Sequence, residues 1–267
     1  MSKIILKKNN IMPILFIGHG SPMNAIEENT FTKNFAKIAN EIRKPKAILC
    51  ISAHWVTDGS KVTAMDKPKT IHDFYGFPHE LYSIEYKALG DVILAKKIQG
   101  LLYSYNATLN NDWGLDHGAW SILRHMYPKA NIPVVQLSLD YNLSTNEHYI
   151  LSQKLTSLRE EDILIIGSGN IIHNLSEINF SKIDTDFGYD WANRVHKIIN
   201  DDILKNEYTK ILNYQNEDTD FNLAIPTPEH FWPLVYILAL KEKNEKVKFF
   251  NDTLVGGSLS MTSLIIR

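Results

Sequence analysis

Four short apolar runs, near residues 12–17, 46–52, 133–139 and 162–167, alternate with longer segments of helical periodicity near 28–43, 84–102, 144–158 and 186–205. Each run has the length of a strand, and strands that are apolar without alternation are buried on both faces. A chain that passes through a helix between such strands builds a parallel sheet covered on both sides. The expectation is a single α/β domain over residues 1–267, with a central mixed, mostly parallel sheet flanked by helices on both faces. The ending differs: VKFFNDTLVGG and SLSMTSLIIR read as two strands joined by a Gly256-Gly257 turn, an antiparallel hairpin at the sheet's edge. The polar stretch from Asn206 to Asn222 reads as a surface excursion.

Composition narrows the class. With 267 residues and 44% apolar content the chain can bury a full core. Its 28 basic and 30 acidic residues are interspersed, so no nucleic-acid footprint is present and small-molecule partners are expected. No apolar stretch reaches the roughly 18 residues of a membrane span. The opening MSKIILKKNNIMP has too short an apolar core, placed ahead of its lysines, for a secretory signal, and a cytoplasmic protein is expected. Cys50 is the only cysteine, which excludes an internal disulfide and a cysteine-rich zinc site, and it reads as core packing.

Four histidines stand where apolar segments stop: His19 in PILFIGHGSP, His54 in AILCISAHW, His173 in DILIIGSGNIIHN and His230 in IPTPEHF. Strand ends of an open α/β sheet deliver side chains to one edge, where such proteins keep their sites. Neutral imidazole is the commonest protein ligand for a transition metal, so the pattern reads as a mononuclear metal enzyme. Taken singly, each histidine has a plainer reading, as a turn residue or as a core histidine bonded to a backbone carbonyl. Gly167-Ser168-Gly169-Asn170 lacks the lysine of a Walker motif and the spacing of a dinucleotide fingerprint. It reads instead as a tight turn that aims His173 into the same cleft as His19 and His54.

Other motifs surround these. In Pro226-Thr227-Pro228-Glu229-His230-Phe231 the prolines lead rigidly into the helix WPLVYILAL, and either Glu229 or His230 can be a ligand. Adjacent helical residues point about 100° apart. Both can then bind one ion only if the segment is irregular; His230 is the favoured ligand, with Glu229 capping the helix or standing behind it, unless the pair only caps the helix. His117, in Asp116-His117-Gly118-Ala119-Trp120, can hydrogen-bond a substrate hydroxyl or move a proton, or can simply begin a helix capped by Asp116. Ile71-His72-Asp73-Phe74 followed by Tyr75-Gly76-Phe77-Pro78 reads as a pocket lid or wall, or as an ordinary packed loop. His79, His125, His148 and His196 are assigned no chemistry.

With those residues in view, the chain resembles the class III extradiol ring-cleaving dioxygenases, the superfamily of protocatechuate 4,5-dioxygenase, and within it the single-subunit branch of bacterial and plant 4,5-DOPA extradiol dioxygenases. GHGSP, SAHW, DFYGFP, LDHGAW, PVVQLSLD, GSGNIIHN and TPEHFWPL carry the resemblance, in this order and nearly end to end. It implies a mixed α/β domain with a nonhaem iron(II) at one end of the sheet, able to bind zinc instead. The implied reaction opens a catechol beside its hydroxyls with dioxygen, giving a muconic semialdehyde. His19 and His54 are implied as metal ligands, with His173 and His230 close to the metal. Protocatechuate-type relatives complete their iron site with a carboxylate, whereas the matching segment here offers His230 beside Glu229. Four histidines also suit a closed, idle zinc site. Dioxygen chemistry then requires His173 to leave the metal and act as base, with His117 as the other proton carrier. Trp55, Phe74, Tyr75 and Trp120 are the expected aromatic walls, in a monomer or homodimer. The rival readings are a zinc hydrolase on the same histidines and a non-catalytic zinc-binding relative.

Overall fold

The computed structural model describes residues 11–267. Residues 1–10 of the opening segment read above as no secretory signal lie outside the described residues. The strands are β1 (Ile14–Gly18), β2 (Ala47–Thr57), β3 (Lys61–Thr63), β4 (Thr108–Asn110), β5 (Val134–Asp140), β6 (Ile163–Gly169), β7 (Val247–Phe250), β8 (Leu254–Val255), β9 (Leu259–Ser260) and β10 (Ser263–Ile266). The helices are α1 (Thr30–Glu41), α2 (His79–Tyr82), α3 (Val92–Leu101), α4 (His117–Met126), α5 (Thr145–Gln153), α6 (Asp190–Lys205), α7 (Thr209–Leu212), α8 (Thr219–Ala224) and α9 (Trp232–Ala239).

Eight strands form one sheet in the order β4-β3-β5-β2-β6-β1-β10-β7. Its centre, β5-β2-β6-β1, is parallel, while β10 and β7 add antiparallel pairs at one side, so the sheet is mixed and mostly parallel. The two-residue period of the strands splits the apolar residues between two cores. Ile14 and Phe16 of β1 join the core beneath α5, α6 and α9, and Leu15 and Ile17 join the one beneath α1 and α4. Cys50 is fully buried in the second core. Each such buried aliphatic or aromatic side chain stabilises the fold by about 1.5–3 kcal/mol. No helix among the described residues is long and apolar enough to cross a membrane.

Local chemistry sets the helix starts. Asn29 and Thr32 exchange side-chain and backbone hydrogen bonds in a capping box at α1, and Ser144 with Glu147 does the same at α5. The structure refines three sequence expectations while keeping the antiparallel edge pairing of the two C-terminal segments. The helix expected over 84–102 begins only at Val92, because Asp91 caps it and the backbone at Gly90 is pressed against Met65, where a Cβ would meet the carbonyl oxygen at 2.0 Å. The Gly256-Gly257 turn, with both φ positive, joins β8 to β9 in a small separate sheet. The edge pair is β7 with β10, since Asn251, at φ 51°, ends β7 early and bonds the Phe31 carbonyl. The stretch from Asn206 to Asn222 carries α7 and the start of α8 and buries Ile211, Tyr214 and Phe221, so its apolar residues anchor it to the core.

Candidate metal centre

The parallel strands end together at one edge, and the histidines gather there. His19 follows β1 directly, and its backbone N–H donates to the Gly169 carbonyl at the end of β6. His54 lies within β2, where pairing with β6 stops at Ser52↔Ser168 and the register against β5 shifts between Ile51 and Val56. That irregularity lets β2 project past its neighbours. His230 sits in the turn before α9, and its carbonyl accepts from the Asn170 N–H. Gly169 makes this approach possible, because a Cβ there would stand 2.2 Å from the His230 carbonyl oxygen. His173 is reached four residues after β6 ends and is anchored by its N–H to the Ala224 carbonyl. His117 is the first residue of α4, set there by the Asp116 cap, as the helix-start reading of that motif expected.

His19, His54 and His117 each offer a ring nitrogen within 4.8 Å of the others. The His230 ring stands beside them, its centroid 5.0 Å from that of His54 and 5.5 Å from that of His19. His173 lies behind, stacked on His230 at 3.6 Å. Of the four expected ligands the structure thus brings His19, His54 and His230 into one cluster, with His173 in its outer layer, and it adds His117. Glu229 turns its carboxylate to the Thr227 hydroxyl.

The proton arrangement can be followed atom by atom. The Ser168 hydroxyl donates to the Gly118 carbonyl at 2.5 Å, so it accepts from His19 Nδ1 at 3.0 Å, and His19 carries its proton on Nδ1. His54 Nδ1 lies 3.3 Å from the carboxylate oxygen Oδ2 of Asp73, which repels a lone pair and favours an N–H there. The Nε2 lone pairs of His19 and His54 then face each other at 3.1 Å. Two acceptors at that separation repel each other, and a cation between them relieves the repulsion. Protonation is opposed, since burial first and neighbouring histidine charges second hold both imidazoles well below their ordinary pKa. His230 Nδ1, buried and 3.8 Å from the Glu229 carboxylate, has no hydrogen-bond partner among the described residues. Neutral, desolvated imidazoles with converging lone pairs are a donor set for a divalent transition metal.

Behind this set stand Asp73, which sequence reasoning did not single out, and Asp116, which it read only as a helix cap. Asp73 receives the His117 backbone N–H on Oδ1 at 2.8 Å and His117 Nδ1 on Oδ2 at 2.9 Å. Burial would raise its pKa, but the hydrogen bond and charge of His117 outweigh this and hold the carboxyl below its usual range. Fully buried Asp116 accepts from Ser52, Gln136 and the Ala119 N–H. The only signal for Asp73 was an acidic residue beside His72 in a loop read as a wall.

Among the expected wall residues, Phe74 meets His117 edge-on at 5.4 Å. Trp120 is fully buried, donates to the Ile71 carbonyl and supports Phe74 from beneath. Trp55 stacks on Trp113, and Tyr75 is 92% exposed. A cavity of about 520 Å³ lined by Arg124 and His125 opens at the far end of α4 and holds none of the clustered imidazoles.

A mostly parallel α/β sheet carrying a histidine cluster at its strand ends, with the donor set of a metal site, is the setting in which the sequence relatives are compared. The chain belongs to the family described as the catalytic LigB subunit of aromatic ring-opening dioxygenase, whose profile matches residues 12–261, and it is an oxidoreductase of the extradiol dioxygenase class. It is 39% identical over 268 residues to the 4,5-DOPA dioxygenase extradiol of Escherichia coli (strain K12), covering 99% of this chain and 98% of that one. It is also 39% identical to the 4,5-DOPA dioxygenase extradiol of Beta vulgaris, over 96% of this chain and 97% of that one. The crystal structure of an uncharacterized protein from Escherichia coli K12 superposes with a TM-score of 0.83 at 36% identity, covering 96% of this chain and all of that one.

Proposed function

We propose that this chain, acting as one catalytic domain, opens the ring of a DOPA-like catechol with dioxygen, inserting both oxygen atoms beside the hydroxyls to give a muconic semialdehyde. The observation that carries this reading is the 3.1 Å approach of His19 Nε2 and His54 Nε2, each with its other nitrogen facing an acceptor. His19, His54 and His230 would hold the metal, iron(II) for turnover, with zinc able to take the same nitrogens. When bound, the iron makes the catechol hydroxyls more acidic and supplies the redox partner that dioxygen requires, which zinc cannot.

The protein's own residues do the rest. His117, backed by Asp73, is the acceptor for a proton from a catechol hydroxyl, and His173 is the second proton-handling ring at the edge of the cluster. Phe74, edge-on to His117, supplies an apolar surface against which the aromatic ring is oriented. Iron-loaded protein is therefore incubated with a panel of catechols under isotopically labelled dioxygen. The reading predicts a yellow product carrying both labelled atoms. A quinone without incorporated label, or no product from any catechol, contradicts it.

A further inference from the structure

We infer that Asp73 is a positioning residue that sets the protons of two rings at once, directing the Nε2 lone pairs of both His54 and His117 into the metal centre. The inference rests on the reading of this cluster as a metal site, and it assigns a role to a loop residue 44 positions from His117.

Asp73 grips His117 at two points, with Oδ1 on the backbone N–H at 2.8 Å and Oδ2 on Nδ1 at 2.9 Å. The same Oδ2 lies 3.3 Å from His54 Nδ1. A carboxylate only accepts, so both imidazoles are favoured as the Nδ1–H form, with bare Nε2 atoms. The two rings are 3.9 Å apart between centroids, tilted by 49°. One carboxylate therefore aligns a candidate ligand with a candidate proton carrier. Its placement fits an anion, since it binds an N–H in the first turn of α4. Ser168 does the same for His19 from the other side of the cluster, but with a hydroxyl whose single proton is committed to Gly118. Outer partners of this kind fix ring orientation, and their loss typically weakens metal binding about 10–100-fold.

Asp73→Asn separates this role from simple loop anchoring. The amide is the same size and its oxygen can still accept the His117 backbone N–H, but its NH₂ then faces both Nδ1 atoms and favours the opposite tautomer. The test uses the metal-free protein with ¹⁵N-labelled histidine, reading protonated and bare nitrogens from two-bond ¹⁵N–¹H correlations, together with zinc affinity against a competing chelator. The expected result is Nδ1–H for His54 and His117 in the wild type, a shift toward Nε2–H in Asp73→Asn, and zinc affinity about 10–100-fold weaker. Nε2–H in the wild type overturns the inference without any variant. So does an Asp73→Asn protein whose tautomers and zinc affinity match the wild type. Neither readout uses turnover, so a failure of the ring-cleavage reading would leave this result interpretable.

Discussion

His173 lies flat on His230, ring centroids 3.6 Å apart and planes within 4°. Two stacked imidazoles cannot both carry charge, and burial first, then the neighbouring His230, pushes His173 down to about 3. His173 is thus a neutral ring across the physiological range, whereas His117 is backed by a carboxylate. Replacing a working general base costs about 10²–10⁴ in rate. His117→Gln is expected to lose that much kcat, and His173→Phe, which keeps an aromatic face on His230, to lose less. Single-turnover rates at equal iron content check the order, and the reverse ranking would transfer the proton to His173.

Ser168 is fully buried and satisfies two groups at once, the Gly118 carbonyl and His19 Nδ1. Ser168→Ala leaves His19 Nδ1 without its acceptor, while the Gly118 carbonyl stays within the hydrogen bonding of α4, so the cost is about 1–3 kcal/mol for one buried group. Chemical denaturation should register that loss in the metal-free protein, and zinc affinity should fall with it because His19 is freed to change tautomer. Unchanged stability would mean that the hydroxyl is not needed to hold the ring.

Gly169 and Gly100 form a matched pair. A Cβ at Gly169 would meet the His230 carbonyl at 2.2 Å, whereas at Gly100, in α3, it meets nothing within 4 Å. Gly169→Ala should destabilise by about 1–3 kcal/mol through overpacking and displace His230. Gly100→Ala, in the last turn of α3, should stabilise by up to about 0.5–1 kcal/mol, the value for alanine in a helix interior. Thermal melts of the two variants with and without zinc decide this, and a larger zinc-induced gain in Gly169→Ala than in the wild type would contradict it.

His148 has no place in the metal centre but affects acid stability. It is fully buried between Trp232 and Tyr236, and burial lowers it from 6.5 to about 4. Above pH 6.5 the ring is neutral folded or unfolded, so its ionisation contributes nothing to the difference between the two states. Between 6.5 and 4 the unfolded chain takes a proton that the folded one refuses, so stability falls with pH, by up to about 3 kcal/mol, and levels off below. His19, His54, His173 and His230 shift in the same direction, so the difference between wild type and His148→Gln isolates this contribution. Parallel stability curves for the two proteins across that window would remove His148 as a cause.

The sequence carried the strands because they are buried on both faces, and uninterrupted ILFI or AILCIS admits few other readings. It pointed to His19 and His54 because each stands where an apolar strand run stops, whereas His230 reaches the same edge from the turn before α9. Asp73 and Ser168 were not legible as supports. Their partners are 44 and 149 residues away, and nothing local in DFYGFP or GSGN states which ring a carboxylate or hydroxyl will meet. Gly256-Gly257 announced a turn correctly, but pairing is a matter of register across the sheet, and Asn251 had already ended β7. The stacking of Trp55 on Trp113, 58 residues further along the chain, was likewise not legible in SAHW.

Oxygen uptake by apo-protein reloaded anaerobically with iron(II) or with zinc, in the presence of a catechol, tests the central claim most directly. The account predicts consumption with iron alone, abolished in His19→Ala and in His54→Ala. Uptake that survives both substitutions, or hydrolysis of an ester supported by zinc with no oxygen consumed under iron, would contradict it.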